Sequence, residues 1–303
     1  MRAKNKLVSI VVPVYNQYPS LMLSLKYFGM QQMPMDSFEI IVVDDGSEDE
    51  LRSADEKESP FAELPYTIKI IHQENGGRAQ ARNTGVLHSS AECIIFCDGD
   101  RIPHPLLIKK HLGFHEQNQH GAVFGCPKDY LGKISLIAQR NEISYAVMEK
   151  YSKLPVYFKK VIKLFDETGS TESDLSWLTF LVGNSSISRK MFDQVGGFDP
   201  KFREWGFEHY DFALRLIDKN ISINHRMDIV NYHIPHKREN NFYQEMIRNS
   251  IKILSKNHPH KHIELLENFL FGMISLQEFE QRYNGRISHT IRDHKPIFYK
   301  NII

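Results

Sequence analysis

The chain has 303 residues, 41% of them hydrophobic, and nearly balanced charge, with 38 Lys and Arg against 37 Asp and Glu. This composition excludes a disordered or collagenous chain, and the weak net charge argues against a nucleic-acid binder, so any anion site has to be local. Three cysteines, Cys93, Cys97 and Cys126, lack paired-ligand spacing and point to a reducing compartment. No stretch approaches the roughly 18 apolar residues that a membrane span needs. Residues 1–6 are short and basic and run into strand-like sequence, unlike a secretory signal. A cytoplasmic location is expected, with peripheral contact at the inner face of a membrane left open.

Along the first half, β-branched apolar runs alternate with helical patterns. Strands are expected over residues 7–12, 38–43, 66–71 and 92–97, with helices over 21–31 and 77–89. Strand, helix, strand repeated in this way implies an α/β fold built on a mostly parallel sheet with helices on both faces. After about residue 125 the alternation stops. Residues 128–178, rich in helix formers, aromatics and lysines, read as an inserted helical subdomain; a further unit starts at 183 and ends in a helix through about 219. Beyond 239 the pattern is helical with polar breaks.

Two of the expected strands end in carboxylates, Asp44-Asp45 and Asp98-Gly99-Asp100. In an open α/β sheet nucleotides bind outside the strands' carboxyl ends, where such oxygens can hold a divalent cation against phosphates. A turn or helix cap is the competing reading for each pair. Gly76-Gly77 leads into a helix whose first turns carry Arg78 and Arg82, a combination suited to a diphosphate or to carboxylates around a metal.

Val8-Ser9-Ile10-Val11-Val12-Pro13-Val14-Tyr15-Asn16, Ile41-Val42-Val43-Asp44-Asp45-Gly46-Ser47, the stretch from Asn75 to Gly85, and Asp98-Gly99-Asp100 together resemble the family 2 glycosyltransferases of GT-A fold. Gly196-Gly197-Phe198-Asp199 and Trp205-Gly206-Phe207-Glu208 resemble a galactosyltransferase-type carboxyl-terminal segment. The resemblance covers about residues 7–240. It implies a Rossmann-like GT-A domain over 1–239, with a nucleotide-binding half (1–127) and an acceptor-binding half (128–239), followed by a helical extension over 240–303.

The implied activity is inverting transfer of a hexose or N-acetylhexosamine from a UDP-sugar to the hydroxyl of a glycan, lipid-linked glycan, peptide or natural product, with Mn²⁺ or Mg²⁺. Two rivals stand beside it: a nucleotidyltransferase and a non-catalytic sugar-nucleotide-binding subunit. The resemblance assigns Pro13, Tyr15, Asp44, Asp45, Arg78, Arg82, Asp98, Gly99, Asn184 and Trp205 to the donor. Asp98 and Asp100 would ligate the metal, with His233 or His236 as a third ligand. The family commonly shows Glu-Asp where this chain has Glu208-His209, so Glu208, His209 and Asp211 all remain candidates for the base. His258, His260 and His262 are expected in a solvated turn. The basic amphipathic stretch 157–165 reads as a solvated helix face, with a membrane surface as its alternative.

Overall fold

The computed structural model describes residues 6–132, 142–203, 206–235, 243–288 and 290–291. Its centre is a nine-stranded sheet. Strands β1 (Val8–Val14), β2 (Phe38–Asp44) and β4 (Cys93–Cys97) are buried along their whole length, because the sheet is covered on both faces. With β3 (Thr67–His72) they form the parallel part, in the order β3-β2-β1-β4. Helix α1 (Tyr18–Phe28) follows β1, and α2 (Arg78–His88) lies directly on that strand: a Cβ at Gly85 would stand 2.3 Å from Val11 Cγ1.

Beyond β4 the sheet turns mixed. β8 (Asn184–Ser188) runs antiparallel to β4, β6 (Gly121–Tyr130) antiparallel to β8, β9 (Ser222–His233) parallel to β6, and the short β5 (Arg101–Pro103) antiparallel to β9. The pair β7 (Ser152–Lys153) extends β6. This half corrects the expectation that strand alternation stops near residue 125. β6 hides behind small residues and Pro127, and a register shift between Gly125 and Cys126 breaks the period of its pairing with β9.

Within the stretch expected to be a helical insertion, the described residues form the end of β6, the short helices α4 (Tyr145–Tyr151) and α5 (Val156–Val161), the two-residue β7 and 3₁₀ turns. Tyr157, Phe158 and Val161 of α5 point into the core, so its apolar face is already occupied. Helix α3 (Leu107–Gln117) packs on β9, β4 and β8. α6 (Arg189–Val195) and α7 (Glu208–Asp218) follow β8. The carboxyl-terminal helices α8 (Tyr243–Asn257), α9 (Glu264–Leu270) and α10 (Leu276–Asn284) place Ile247, Phe269 and Phe279 in the same hydrophobic cluster as Trp177 and Phe212. No helix among the described residues is long and apolar enough to cross a membrane.

Behind β8 lies a buried imidazole network. Ser186 Oγ sits 2.8 Å from both His111 Nδ1 and His115 Nε2, and His111 Nε2 is 3.2 Å from Asn184 Oδ1. Burial pushes His111 down to about 3 and His115 to about 4; His225, packed on Phe124, is pushed down to about 4. An unfolded histidine takes its proton near 6.5, whereas these imidazoles resist it, so their contribution to stability is complete above that pH and is lost as pH falls toward 4. His72 and His233 are raised instead, and they work in the window above 6.5. The melting temperature should therefore fall between pH 6.5 and 5, before most carboxylates titrate. His111→Gln should flatten that limb, and an unchanged slope in the variant would contradict the assignment.

Candidate active site

The carboxyl ends of β1, β2 and β4 open into a cleft of about 1050 Å³. Pro13 and the half-exposed Tyr15 line it at the end of β1. The two carboxylates at the end of β2 separate. Asp44 turns inward, its Oδ1 accepting from the Ser47 N–H at 2.9 Å and its Oδ2 pairing with His72 Nδ1 at 2.9 Å. Asp45 lines the cleft and gathers the glycine loop: Oδ1 accepts from Gln73 Nε2 (2.7 Å) and the Gly76 N–H (2.8 Å), Oδ2 from the Gly77 N–H (2.9 Å). Gly77 has φ +86°, and a Cβ there would stand 2.7 Å from the Arg203 carbonyl oxygen, so the loop closes only with glycine. Arg78 then opens α2 on the cleft wall.

Arg82, one turn further, is buried and points at two carboxylates. Its Nη1 donates to Glu208 Oε1 at 2.7 Å and its Nη2 to Asp98 Oδ1 at 2.9 Å, while the guanidinium lies 5.6 Å from the centre of the Phe198 ring. An unpaired charge buried this deeply would cost several kcal/mol, and two anions offset that cost. Asp98 also stands 3.6 Å from Arg101 Nε. Burial opposes ionisation of Asp98, but Arg82 and Arg101 outweigh it and hold the carboxyl below the usual range. A Cβ at Gly183 would stand 2.2 Å from Asp98 Oδ2, so glycine lets the start of β8 approach this carboxylate.

Asp100 meets the far end of the sheet. The register pairs His233 with Arg101 on β5 and with Asp129 on β6, which brings His233 Nε2 to 3.4 Å from Asp100 Oδ2 and Nδ1 to 3.0 Å from Asp129 Oδ1. Burial would lower the His233 pKa, but Asp100 and Asp129 raise it. A hard carboxylate oxygen beside an imidazole nitrogen, whose other nitrogen is oriented by a second carboxylate, fits a divalent cation. Among the described residues no three His, Cys, Asp or Glu side chains cluster as a complete metal cage. Such an ion would draw its remaining ligands from water and phosphate oxygens, as Mg²⁺ commonly does.

Two consecutive left-handed residues, Gly206 (φ +86°) and Phe207 (φ +74°), turn the chain sharply into α7. For Phe207 this costs on the order of 1–3 kcal/mol, strain of the kind that collects at functional sites. It delivers Glu208 and His209 to the cleft wall at the start of the helix. Glu208 Oε2 has no hydrogen-bond partner among the described residues, and His209 Nδ1 stands 3.8 Å from it. Burial opposes ionisation of Glu208 too, yet the charges of Arg78 and Arg82 and the nearby His209 hold it well below the usual carboxylate range.

The structure thus gathers Pro13, Tyr15, Asp45, Arg78, Arg82, Asp98, Asp100, Glu208, His209 and His233 around one cleft. Four expected residues stand elsewhere. Asp44 is spent on its turn and His72. Gly99 is packed under the turn, where a Cβ would stand 2.9 Å from Val14 Cγ2. Asn184, 2% exposed, spends its amide on His111 and on the Ile229 carbonyl at 3.0 Å. Asp211, one turn on from Glu208, is buried outside the cleft lining, paired with Arg215 and His258. Trp205 and His236 lie outside the described residues. His258 corrects the expectation of a solvated turn, for it is buried against Asp211. Arg101 and Asp129 are among the cleft residues that escaped the sequence reading. Arg101 directly follows Asp100 and was there to be seen; Asp129 becomes visible only through the β6–β9 pairing.

The description "Glycosyl transferase family 2" matches residues 9–196, and "N-terminal domain of galactosyltransferase" matches residues 166–237. The chain is 29% identical over 257 residues to the uncharacterized glycosyltransferase YfnE of Bacillus subtilis strain 168, covering 75% of this chain and 64% of that protein. It spans less than two thirds of the length of the curated relatives it matches first. Among solved structures, S. aureus TarS 1-349 in complex with UDP superposes with a TM-score of 0.58 at 17% identity, over 91% of this chain and 71% of that one. A mannosyltransferase of Pyrobaculum calidifontis in complex with GDP-Man and Mn²⁺ gives 0.54 at 19%, over 82% and 62%. These two likenesses establish the GT-A fold. The matched motifs, the α/β sheet and the cleft at its carboxyl edge agree, and the chain belongs to glycosyl transferase family 2.

Proposed function

We propose that the protein is an inverting, metal-dependent glycosyltransferase that moves a hexose or N-acetylhexosamine from a UDP-sugar to an acceptor hydroxyl. The observation that carries this reading is the meeting of Asp98, Asp100 and His233 with Glu208 and His209 across one cleft, joined by the buried Arg82. The UDP held by TarS and the Mn²⁺ held by the mannosyltransferase support the choice of donor and ion. Glycans, lipid-linked glycans, peptides and natural products all present the required hydroxyl.

In this mechanism Asp45 and the loop it gathers receive the nucleoside, while Arg78 and the first N–H groups of α2 face the diphosphate. Asp100 and His233 would hold the ion, which when bound neutralises charge on the departing UDP. Asp129 keeps the His233 ring turned so that Nε2 faces Asp100. The acceptor oxygen attacks the anomeric carbon as the bond to the diphosphate oxygen breaks, and the electron pair of that bond leaves with UDP. His209 takes the acceptor's proton. Glu208 makes a poor base, because the arginines around it hold its carboxyl well below the usual carboxylate range. Its fixed negative charge beside His209 stabilises the imidazolium that forms, a carboxylate and imidazole acting as a unit.

Asp100→Ala should abolish transfer and remove the Mn²⁺ dependence of UDP binding measured by calorimetry; wild-type activity in EDTA would rule out the ion. His233→Ala should raise the Mn²⁺ concentration needed for half-maximal rate, and Asp129→Asn should do so more weakly. A wild-type metal requirement in both variants would remove β9 from the ligand set.

His209→Ala should slow transfer at least about 100-fold while leaving UDP affinity within twofold of wild type, as loss of a base that acts only after donor binding requires. Glu208→Gln should retain more activity than His209→Ala. The reverse order would make Glu208 the base, and loss of UDP binding in His209→Ala would give the imidazole a donor role instead.

A further inference from the structure

One turn beyond Glu208 on α7, Asp211 is fully buried and holds Arg215, Asn257 and His258. Arg215 grips it from one turn on, Nη2 at 2.7 Å and Nε at 2.9 Å from Oδ2. Its other oxygen, Oδ1, receives Asn257 Nδ2 at 2.9 Å and His258 Nε2 at 3.0 Å. Both donors come from the end of α8, 46 and 47 residues along the chain. The Asn257 amide also reaches Asp199 Oδ2 at 2.8 Å, and His258 Nδ1 stands 4.0 Å from Asp218, two turns beyond Asp211 on the same helix.

These contacts hold both pieces that frame the acid of the cleft. Asp199 ends the Gly196-Gly197-Phe198-Asp199 turn, whose Phe198 backbone is clasped on both sides by Asn83: its N–H donates to Asn83 Oδ1 at 2.8 Å, and its carbonyl accepts from Asn83 Nδ2 at 2.8 Å. The Phe198 ring underlies the Arg82 guanidinium. Asp211 stands three residues after Glu208 and two after His209, on the first turn of a helix entered through a strained left-handed pair. A helix that starts on a strained turn has a poorly fixed first turn unless something beyond it sets its position. Hydrophobic packing of α8 on α7 sets their separation; the directional bonds to Asp211 and Asp199 set rotation and register.

We propose that Asn257 and His258 are positioning residues for the proposed reaction: they pin α7 and the Asp199 turn together, so that the carboxyl-terminal helices hold Glu208 and His209 at the cleft without touching substrate. The inference rests on the proposed transferase reading only for the effect on rate. Its structural content, that the first turn of α7 is fixed by the end of α8, stands apart from that reading.

The test uses the full chain carrying Asn257→Ala with His258→Ala, and His258→Gln, whose amide can still donate to Asp211. Amide hydrogen exchange in residues 207–212 should accelerate about tenfold or more in the double variant, with β1, β2 and β4 unchanged, and UDP binding by calorimetry should stay within twofold of wild type. Turnover, followed as transfer to an accepted hydroxyl or as Mn²⁺-dependent UDP-sugar hydrolysis, should fall about tenfold to 100-fold in kcat, the cost expected of a slightly misplaced group. KM for the donor should stay constant, and His258→Gln should recover most of the exchange protection. If exchange rises evenly through the chain, or if residues 207–212 exchange at the wild-type rate, the positioning role is wrong. Should exchange change as expected with kcat unaffected, the pinning is structural and the proposal fails. Absence of any turnover in the wild type would instead defeat the transferase reading and leave the exchange result standing.

Discussion

The buried guanidinium of Arg82 is the contact on which the rest of the site depends. Its two hydrogen bonds run to Asp98, which follows the buried strand β4, and to Glu208, 126 residues along the chain from Arg82 at the start of α7. Arg82 helps hold both carboxylates ionised at their depth, together with Arg101 beside Asp98 and Arg78 near Glu208, and the buried guanidinium in turn needs these anions. The constraint is therefore mutual. The end of β4 and the start of α7 cannot drift apart without stranding a charge.

That coupling explains why the polar groups of the cleft fall on rigid elements. Asp98 follows a fully buried strand, His233 ends the strand that both β5 and β6 flank, and Glu208 opens α7 behind a backbone turn that stores strain. Loops enter the site chiefly where glycine permits it, at Gly77 against Arg203 and Gly183 against Asp98. In each case a close approach of backbone, rather than a side chain, sets the wall. The arrangement suits chemistry in which positioning and fixed charge contribute more than any single reactive group.

The parallel half of the fold was legible in the sequence because its signals are local. Runs such as Val8-Ser9-Ile10-Val11-Val12 are apolar enough to demand cover on both faces, and the carboxylates that close β2 and β4 mark the crevice. The mixed half was not. β6 carries glycines, Pro127 and a bulge, and apart from the two-residue β7 its partners, β8 and β9, lie more than 50 residues away in the chain. The same holds for side-chain roles. Asp45 and Arg82 were readable from motif position, but nothing local says that Asn184 spends its amide behind the sheet, that Asp44 faces inward to His72, or that His258 sits buried against Asp211. Those assignments depend on tertiary neighbours, which residue type and spacing do not encode.

The central proposal is that Asp100 and His233, far apart in the chain and joined by the pairing of β5 with β9, hold one divalent cation against the diphosphate of a nucleotide sugar. Anomalous diffraction from crystals soaked with UDP and Mn²⁺ tests it directly. The account predicts a single manganese peak within bonding distance of Asp100 Oδ2 and His233 Nε2, with the diphosphate bridging it toward Arg78 and the uracil beside Asp45. A manganese peak away from both side chains, or UDP bound with no ion near Asp100, would contradict it.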